Sequence, residues 1–257
     1  MRKSKIRQKL DAGKVARVCA LGSNVPYYPQ MAAHFGYDAV WMDGEHRVWD
    51  PREISDLVAR HHLADIDCLF RPATLEKTGL SRLLEDGVAA LMIPQVNDAA
   101  LARWLMEATK FPPVGDRGLD GSGMDAGFWV QRSENYTRDS NHETVLILQI
   151  ETPTALENMA EIIAIPGVDA LLLGPGDLSL RLGCAPSIRD PKIHDAVARM
   201  AAVCKGQGKP WGFPVGNIED ARTVVDMGCQ ILCMGNEFWA VHDHLKSYGD
   251  QLQALLG

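Results

Sequence analysis

Two hydrophobic rhythms alternate along the chain. Short apolar runs occupy 17–21, 38–42, 67–71, 89–93, 145–150, 169–173, 210–213 and 230–234. Each has the length of a buried strand. Between most of them, apolar positions recur at helical spacing over 51–62, 77–86, 97–109, 154–164, 190–207 and 217–227. Pro51, Asn97 and Asn217 fit helix starts, and Gly87 and Gly228 fit helix stops. One phrase recurs before strands: Phe35-Gly36-Tyr37-Asp38-Ala39, Glu85-Asp86-Gly87-Val88-Ala89, Pro166-Gly167-Val168-Asp169-Ala170 and Asp226-Met227-Gly228-Cys229-Gln230. Helix end, glycine, strand is the punctuation of parallel strands with helices on their faces.

Eight such strands predict a closed (β/α)8 barrel, a TIM barrel, with 1–257 as one domain. The length suits it, since one barrel takes about 250 residues. An open doubly wound sheet is the alternative, but no G-x-G-x-x-G follows an early strand. The stretch 111–144 breaks the rhythm with Phe111-Pro112-Pro113-Val114-Gly115-Asp116-Arg117-Gly118 and a Gly-rich polar segment holding Trp129 and Tyr136. A long insertion of this kind is expected to cover an active site or to meet another subunit.

Composition narrows the partners. The chain is 46% hydrophobic and 23% charged, with a net charge of −7. It has no long basic run for a phosphate backbone, so nucleic acid is not an expected partner. The basic start, Arg2-Lys3-Ser4-Lys5-Ile6-Arg7-Gln8-Lys9, has no apolar segment behind it, and no stretch suits a membrane span. The six cysteines form no C-x-x-C pair. Cys19, Cys68 and Cys233 sit in apolar strands, which reads as buried reduced thiols in a cytoplasmic protein.

The candidate chemistry lies at strand ends. Glu151 follows Leu146-Ile147-Leu148-Gln149-Ile150, and Asp177 follows Ala170-Leu171-Leu172-Leu173-Gly174-Pro175-Gly176. In such barrels the C-terminal rim carries the chemistry. Two carboxylates there can hold one hard divalent cation, with water and substrate oxygens completing its shell. Alternatively, Glu151 is an acid at a helix start and Asp177 an N-cap. Gln149 shares the Glu151 side of its strand. Gly176 lets backbone amides approach a ligand closely. Asp43-Gly44-Glu45-His46 closes another strand, where a histidine near a carboxylate can move protons near neutral pH; the alternative is a solvated loop. Arg71 ends Cys68-Leu69-Phe70-Arg71, placed for a substrate carboxylate or enolate oxygen, or for a structural ion pair with Glu45. Lys77, Lys110, Lys192, Lys205, Lys209 and Lys246 fall in helices or helix-to-strand turns, which disfavours a Schiff-base aldolase.

Taken in order, Asp43-Gly44-Glu45-His46, Arg71-Pro72, Ile93-Pro94-Gln95-Val96, Phe111-Pro112-Pro113 with Arg117-Gly118, Gln149-Ile150-Glu151-Thr152 and Gly174-Pro175-Gly176-Asp177-Leu178-Ser179 resemble the HpcH/HpaI aldolase family of metal-dependent class II pyruvate aldolases. The resemblance spans nearly the whole chain. It implies reversible cleavage of a 4-hydroxy-2-oxo acid to pyruvate, or a related 2-oxo acid, and an aldehyde. It implies Mg²⁺, Mn²⁺ or Co²⁺ held by Glu151 and Asp177, with Gln149 beside it. Arg71 then binds the keto oxygen and stabilises the enolate, and His46, oriented by Asp43, manages a proton. It also implies a C-terminal helix exchanged between subunits in a hexamer built as a trimer of dimers. The chain departs at Cys19-Ala20-Leu21-Gly22-Ser23-Asn24 and at Gly118-Leu119-Asp120-Gly121-Ser122-Gly123, regions the resemblance sets at the aldehyde end. The competing readings are a citrate-lyase-type enzyme acting on a CoA ester, for which no basic nucleotide patch is seen, and a non-catalytic barrel binding a small acid.

Overall fold

The computed structural model describes residues 2–131 and 133–257; Met1 and Arg132, the latter within the 111–144 insertion, lie outside the described residues. The strands are β1 (Ala16–Leu21), β2 (Ala39–Asp43), β3 (Asp67–Arg71), β4 (Ala90–Ile93), β5 (Val145–Ile150), β6 (Ala170–Leu173), β7 (Trp211–Val215) and β8 (Ile231–Asn236). They pair in parallel, in chain order, and β8 returns to β1 to close the barrel. The helices are α1 (Lys5–Asp11), α2 (Tyr28–His34), α3 (Pro51–Leu63), α4 (Lys77–Glu85), α5 (Ala99–Thr109), α6 (Tyr136–Glu143), α7 (Pro153–Ile163), α8 (Pro175–Leu182), α9 (Pro191–Gln207), α10 (Ile218–Asp226) and α11 (Glu237–Leu256). Among the described residues no helix is long and apolar enough to cross a membrane.

Alternation along the strands divides the core in two. Val40, Met42, Cys68, Phe70, Leu146, Leu148 and Leu171 pack outward against the helices. Val18, Ala39, Leu69, Met92, Ile147, Leu172 and Cys233 fill the barrel interior, with Trp41 partly buried against them. Side chains of one strand face share a parity. The interior parity continues to Asp43, Arg71, Gln149 and Glu151, which is why these polar groups surface together at the C-terminal mouth.

The floor is closed by α1. Ile6 is fully buried. The buried Asp67 carboxylate accepts from Ser4 Oγ at 2.7 Å and from the Ile6 amide at 2.8 Å. Ser4 N–H in turn donates to Glu143 Oε2 at 2.9 Å.

The insertion 111–144 does not cover the mouth. It follows α5 and precedes β5, so it belongs to the strands' N-terminal end, opposite the candidate acids. It is stitched there. The buried Lys110 Nζ donates to the carbonyls of Asn141 (2.9 Å) and Thr144 (2.5 Å) and to Asp169 Oδ2 (2.9 Å). Arg117 serves this loop, donating to Asp125 Oδ2 at 2.8 Å and lying over the Phe111 ring. Residues 118–123 therefore lie away from the mouth of their own barrel, not beside it as the resemblance implied.

The C-terminal helix, α11, is unlike the others. No side chain of α11 is buried. Phe238, Trp239, Val241, Leu245, Tyr248, Leu252, Leu255 and Leu256 are all exposed. It is held at its root, where Asn236 caps it and Glu237 Oε1 accepts from Gly22 N–H at 2.7 Å.

Candidate active site

At the mouth, β2 and β3 are in register with Asp43 opposite Arg71. The pair forms a two-pronged ion pair: Nε to Oδ1 and Nη2 to Oδ2, both 2.9 Å. Arg71 Nη1 stands 2.9 Å from Glu45 Oε2 and 3.5 Å from Gln149 Oε1. The indole of Trp41, one interior position below Asp43, lies under the guanidinium at 4.8 Å. A buried cation needs such compensation. Burial alone raises the Asp43 carboxyl, but the Arg71 hydrogen bond and charge, with the His46 and Glu45 amides, hold it below the usual carboxylate range.

The loop after β2 is folded back on its own acid. Asp43 Oδ1 accepts from the amides of Glu45 (3.1 Å) and His46 (3.4 Å), and its carbonyl accepts from Trp49 Nε1 at 2.7 Å. Asp43 therefore fixes the His46 backbone and not, as the resemblance implied, its ring. The imidazole is 57% exposed, with Nε2 3.7 Å from Glu45 Oε2.

Glu151 stands just past β5 and is only 3% exposed. Its Oε1 accepts the Gln95 amide at 2.6 Å. Burial, with Glu45 and Asp177 close by, pushes its carboxyl up to about 7 against the pull of that hydrogen bond. Thr152 caps α7 through its hydroxyl, so the helix does not use Glu151. Asp177 lies in the first turn of α8, whose N-cap, Gly174, offers no side-chain hydrogen bond; Asp177 is not the cap. Arg181 Nη1 stands 3.4 Å from Asp177 Oδ2. Gly174 is packed against Glu151: a Cβ there would come within 2.6 Å of Oε2.

Mutually repelling acids leave a demand for positive charge. Glu45 Oε2 is buried and accepts no hydrogen bond among the described residues, despite its contact with Arg71. Among those residues no three His, Cys, Asp or Glu side chains form a group that could hold a metal ion alone. The donor set fits a hard divalent cation that takes two carboxylates and keeps water or substrate oxygens, not a closed protein cage.

Asp43, Arg71, Gln149, Glu151 and Asp177 thus share one rim, with Glu45 among them and His46 at its edge. Trp41 and Gln95 are additions. Trp41 was readable from its shared parity with Asp43. Gln95 contributes a backbone amide, for which side-chain identity carries no signal. The helix start expected at Asn97 is shifted: Asp98 caps α5, and Asn97 bonds to Thr152 instead.

Comparison with known proteins agrees with the barrel fold. The model of the family described as HpcH/HpaI aldolase/citrate lyase matches residues 18–241. The 2-keto-3-deoxy-L-rhamnonate aldolase of Escherichia coli K12 is 32% identical over 255 residues, covering 97% of this chain and 91% of that protein. The crystal structure of an HpcH/HpaI aldolase from Desulfitobacterium hafniense superposes with a TM-score of 0.90 at 28% identity, covering 98% of this chain and 97% of that one. An HpcH/HpaI aldolase/citrate lyase family protein from Burkholderia cenocepacia gives 0.86 at 27% identity, covering 99% and 100%. The chain belongs to the HpcH/HpaI aldolase/citrate lyase family and is a carbon–carbon lyase.

Proposed function

We propose that this lyase reversibly cleaves a 4-hydroxy-2-oxo acid into pyruvate, or a related 2-oxo acid, and an aldehyde. The observation that carries the reading is the convergence of Glu151 and Asp177, from the ends of neighbouring strands, on a mouth that also presents the Arg71 guanidinium. The Escherichia coli relative is named for a 2-keto acid, and that end of the substrate is what we carry over.

Glu151 and Asp177 would hold a divalent cation such as Mg²⁺, Mn²⁺ or Co²⁺. When bound, the cation withdraws electrons from the keto group of the 2-oxo acid. Arg71, locked in plane by Asp43 and Trp41, donates to the keto oxygen and gains strength as enolate charge grows there. Gln149 is held beside it by Arg71. The amides of Gly176 and Asp177 open α8 without a capping side chain, which suits them to the substrate carboxylate. His46 takes the proton from the 4-hydroxyl as the carbon–carbon bond breaks, and returns it in the reverse direction. The test is proton NMR of pyruvate in deuterium oxide with Mg²⁺ or Mn²⁺. Methyl exchange that EDTA abolishes and metal restores is expected. A chain that binds pyruvate but never exchanges its methyl protons is not an aldolase of this kind.

A further inference from the structure

The loop 94–97 does more than join β4 to α5. Pro94 and Val96 are buried while the Gln95 side chain is exposed. Gln95 takes a left-handed φ of 55°, a conformation that non-glycine residues adopt at a cost. What that backbone twist achieves is specific: it turns the Gln95 amide inward to Glu151 Oε1 at 2.6 Å. The loop is then bolted to the segment that carries Glu151. Asn97 Nδ2 donates to the Gln95 carbonyl at 3.2 Å, Asn158 Nδ2 donates to the Asn97 carbonyl at 2.8 Å, and the Thr152 hydroxyl donates to Asn97 Oδ1. The other oxygen, Oε2, is turned toward Gly174 at the start of the Asp177 turn.

We infer that loop 94–97 is a clamp on Glu151: Gln95 is a positioning residue whose amide retains Oε1, so that the carboxylate meets the cation through Oε2 alone. The two oxygens of one carboxylate thus have different tasks. A ligating group whose second atom is hydrogen-bonded keeps its orientation whether or not the cation is there, and loss of such a partner typically weakens metal binding by about 10- to 100-fold. The inference rests on the cation site proposed above.

The test is Mn²⁺ affinity, titrated calorimetrically on the purified chain, with circular dichroism to confirm folding. Gln95→Pro removes the amide hydrogen and, because proline cannot take φ 55°, also the twist that aims it; it is expected to weaken Mn²⁺ binding by about 10- to 100-fold. Asn97→Ala keeps the amide but unbolts the loop, and is expected to weaken binding in the same direction. Gln95→Gly is the conservative rescue, retaining the N–H at an unstrained φ, with affinity restored close to that of the unmodified chain. Should Gln95→Pro fail to fold, Asn97→Ala decides the matter. Unchanged Mn²⁺ affinity in every folded variant overturns the clamp. Absence of Mn²⁺ binding by the unmodified chain is a separate result: it removes the cation site itself, and the clamp with it, before any variant is made.

Discussion

Replacing Gly174 by alanine puts one methyl group into the tightest contact of the rim. That methyl would stand 2.6 Å from Glu151 Oε2 and 3.0 Å from Glu151 Cβ, where ordinary contact begins at 3.4 Å. The carboxylate oxygen must therefore retreat by about 0.8 Å, the shortfall of its 2.6 Å from the 3.4 Å of ordinary contact. It cannot retreat freely, because Oε1 is held by the Gln95 amide at 2.6 Å. Backbone strain is not the cause of any effect, since Gly174 has φ −91° and ψ 93°, which alanine tolerates. Catalytic groups must hold position to about 0.5 Å, and a misplacement of about 1 Å can cost on the order of 10²-fold in rate. Methyl exchange of pyruvate should accordingly fall about 10- to 100-fold in Gly174→Ala. Overpacking costs about 1–3 kcal/mol and the stiffer unfolded chain returns about 0.4–1 kcal/mol, so the variant should still fold. The assay pairs NMR of the exchanging methyl with a melting curve and an Mn²⁺ titration. Exchange and affinity equal to the unmodified chain would show that Glu151 Oε2 is not at the reacting centre.

Four further outcomes are expected. Arg71→Lys should lower kcat on the order of 10²-fold or more with a smaller change in KM, because an ammonium lacks the fork that meets enolate charge; equal activity in steady-state assays would reduce Arg71 to an ion pair. His46→Ala should slow aldol cleavage by about 10²–10⁴-fold while slowing pyruvate methyl exchange much less, and equal losses in both reactions would move His46 to the enolisation step. Burial pushes the fully buried His61 down from 6.5 to about 4, so the folded chain binds its proton less well than the unfolded one. The stability this gives is present above pH 6.5 and is lost as pH falls through 4, a change of about 3 kcal/mol; acid unfolding of His61→Phe should lack that component, and identical acid curves would contradict the assignment. Sedimentation at micromolar concentration should show an oligomer, since the apolar length of α11 finds no cover on its own barrel; a monomer there counts against subunit exchange.

Strand positions were readable because each β-strand is a short, mostly apolar run whose polar members, such as Arg17, Asp43, Asp67 and Arg71, fall near its ends. The observed bounds of β1 to β8 lie within two residues of those runs. The helices that escaped notice, α1, α2, α6 and α8, are only seven or eight residues long, about two turns each. Glu151 was readable since polarity breaks abruptly after Ile150, and Asp177 since a Gly-Pro-Gly turn precedes it. Other features lay beyond a one-dimensional reading. The side of the barrel that 111–144 occupies was not one of them: it follows from the segment's place after a helix and before a strand, an order legible in the chain that outweighs its suggestive length. The hold of Asp43 on the His46 amide, and that of Gln95 on Glu151, are backbone bonds, which leave no trace in residue identity.

The floor of the barrel has a bearing on how the chain reaches its native state. α1 is anchored to Asp67 and Glu143, partners that lie 61 and 139 residues away from Ile6 and Ser4. During synthesis α1 precedes both of them, and no nearby segment supplies the same bonds. Contacts of such separation require loop closure before they contribute. The plug is therefore set late, when β3 is in place and α6 has arrived to receive Ser4. Until then the interior side of the strands that carry Val18 and Leu69 lacks its cover from below, and a half-built barrel with apolar surface open to water is prone to aggregation.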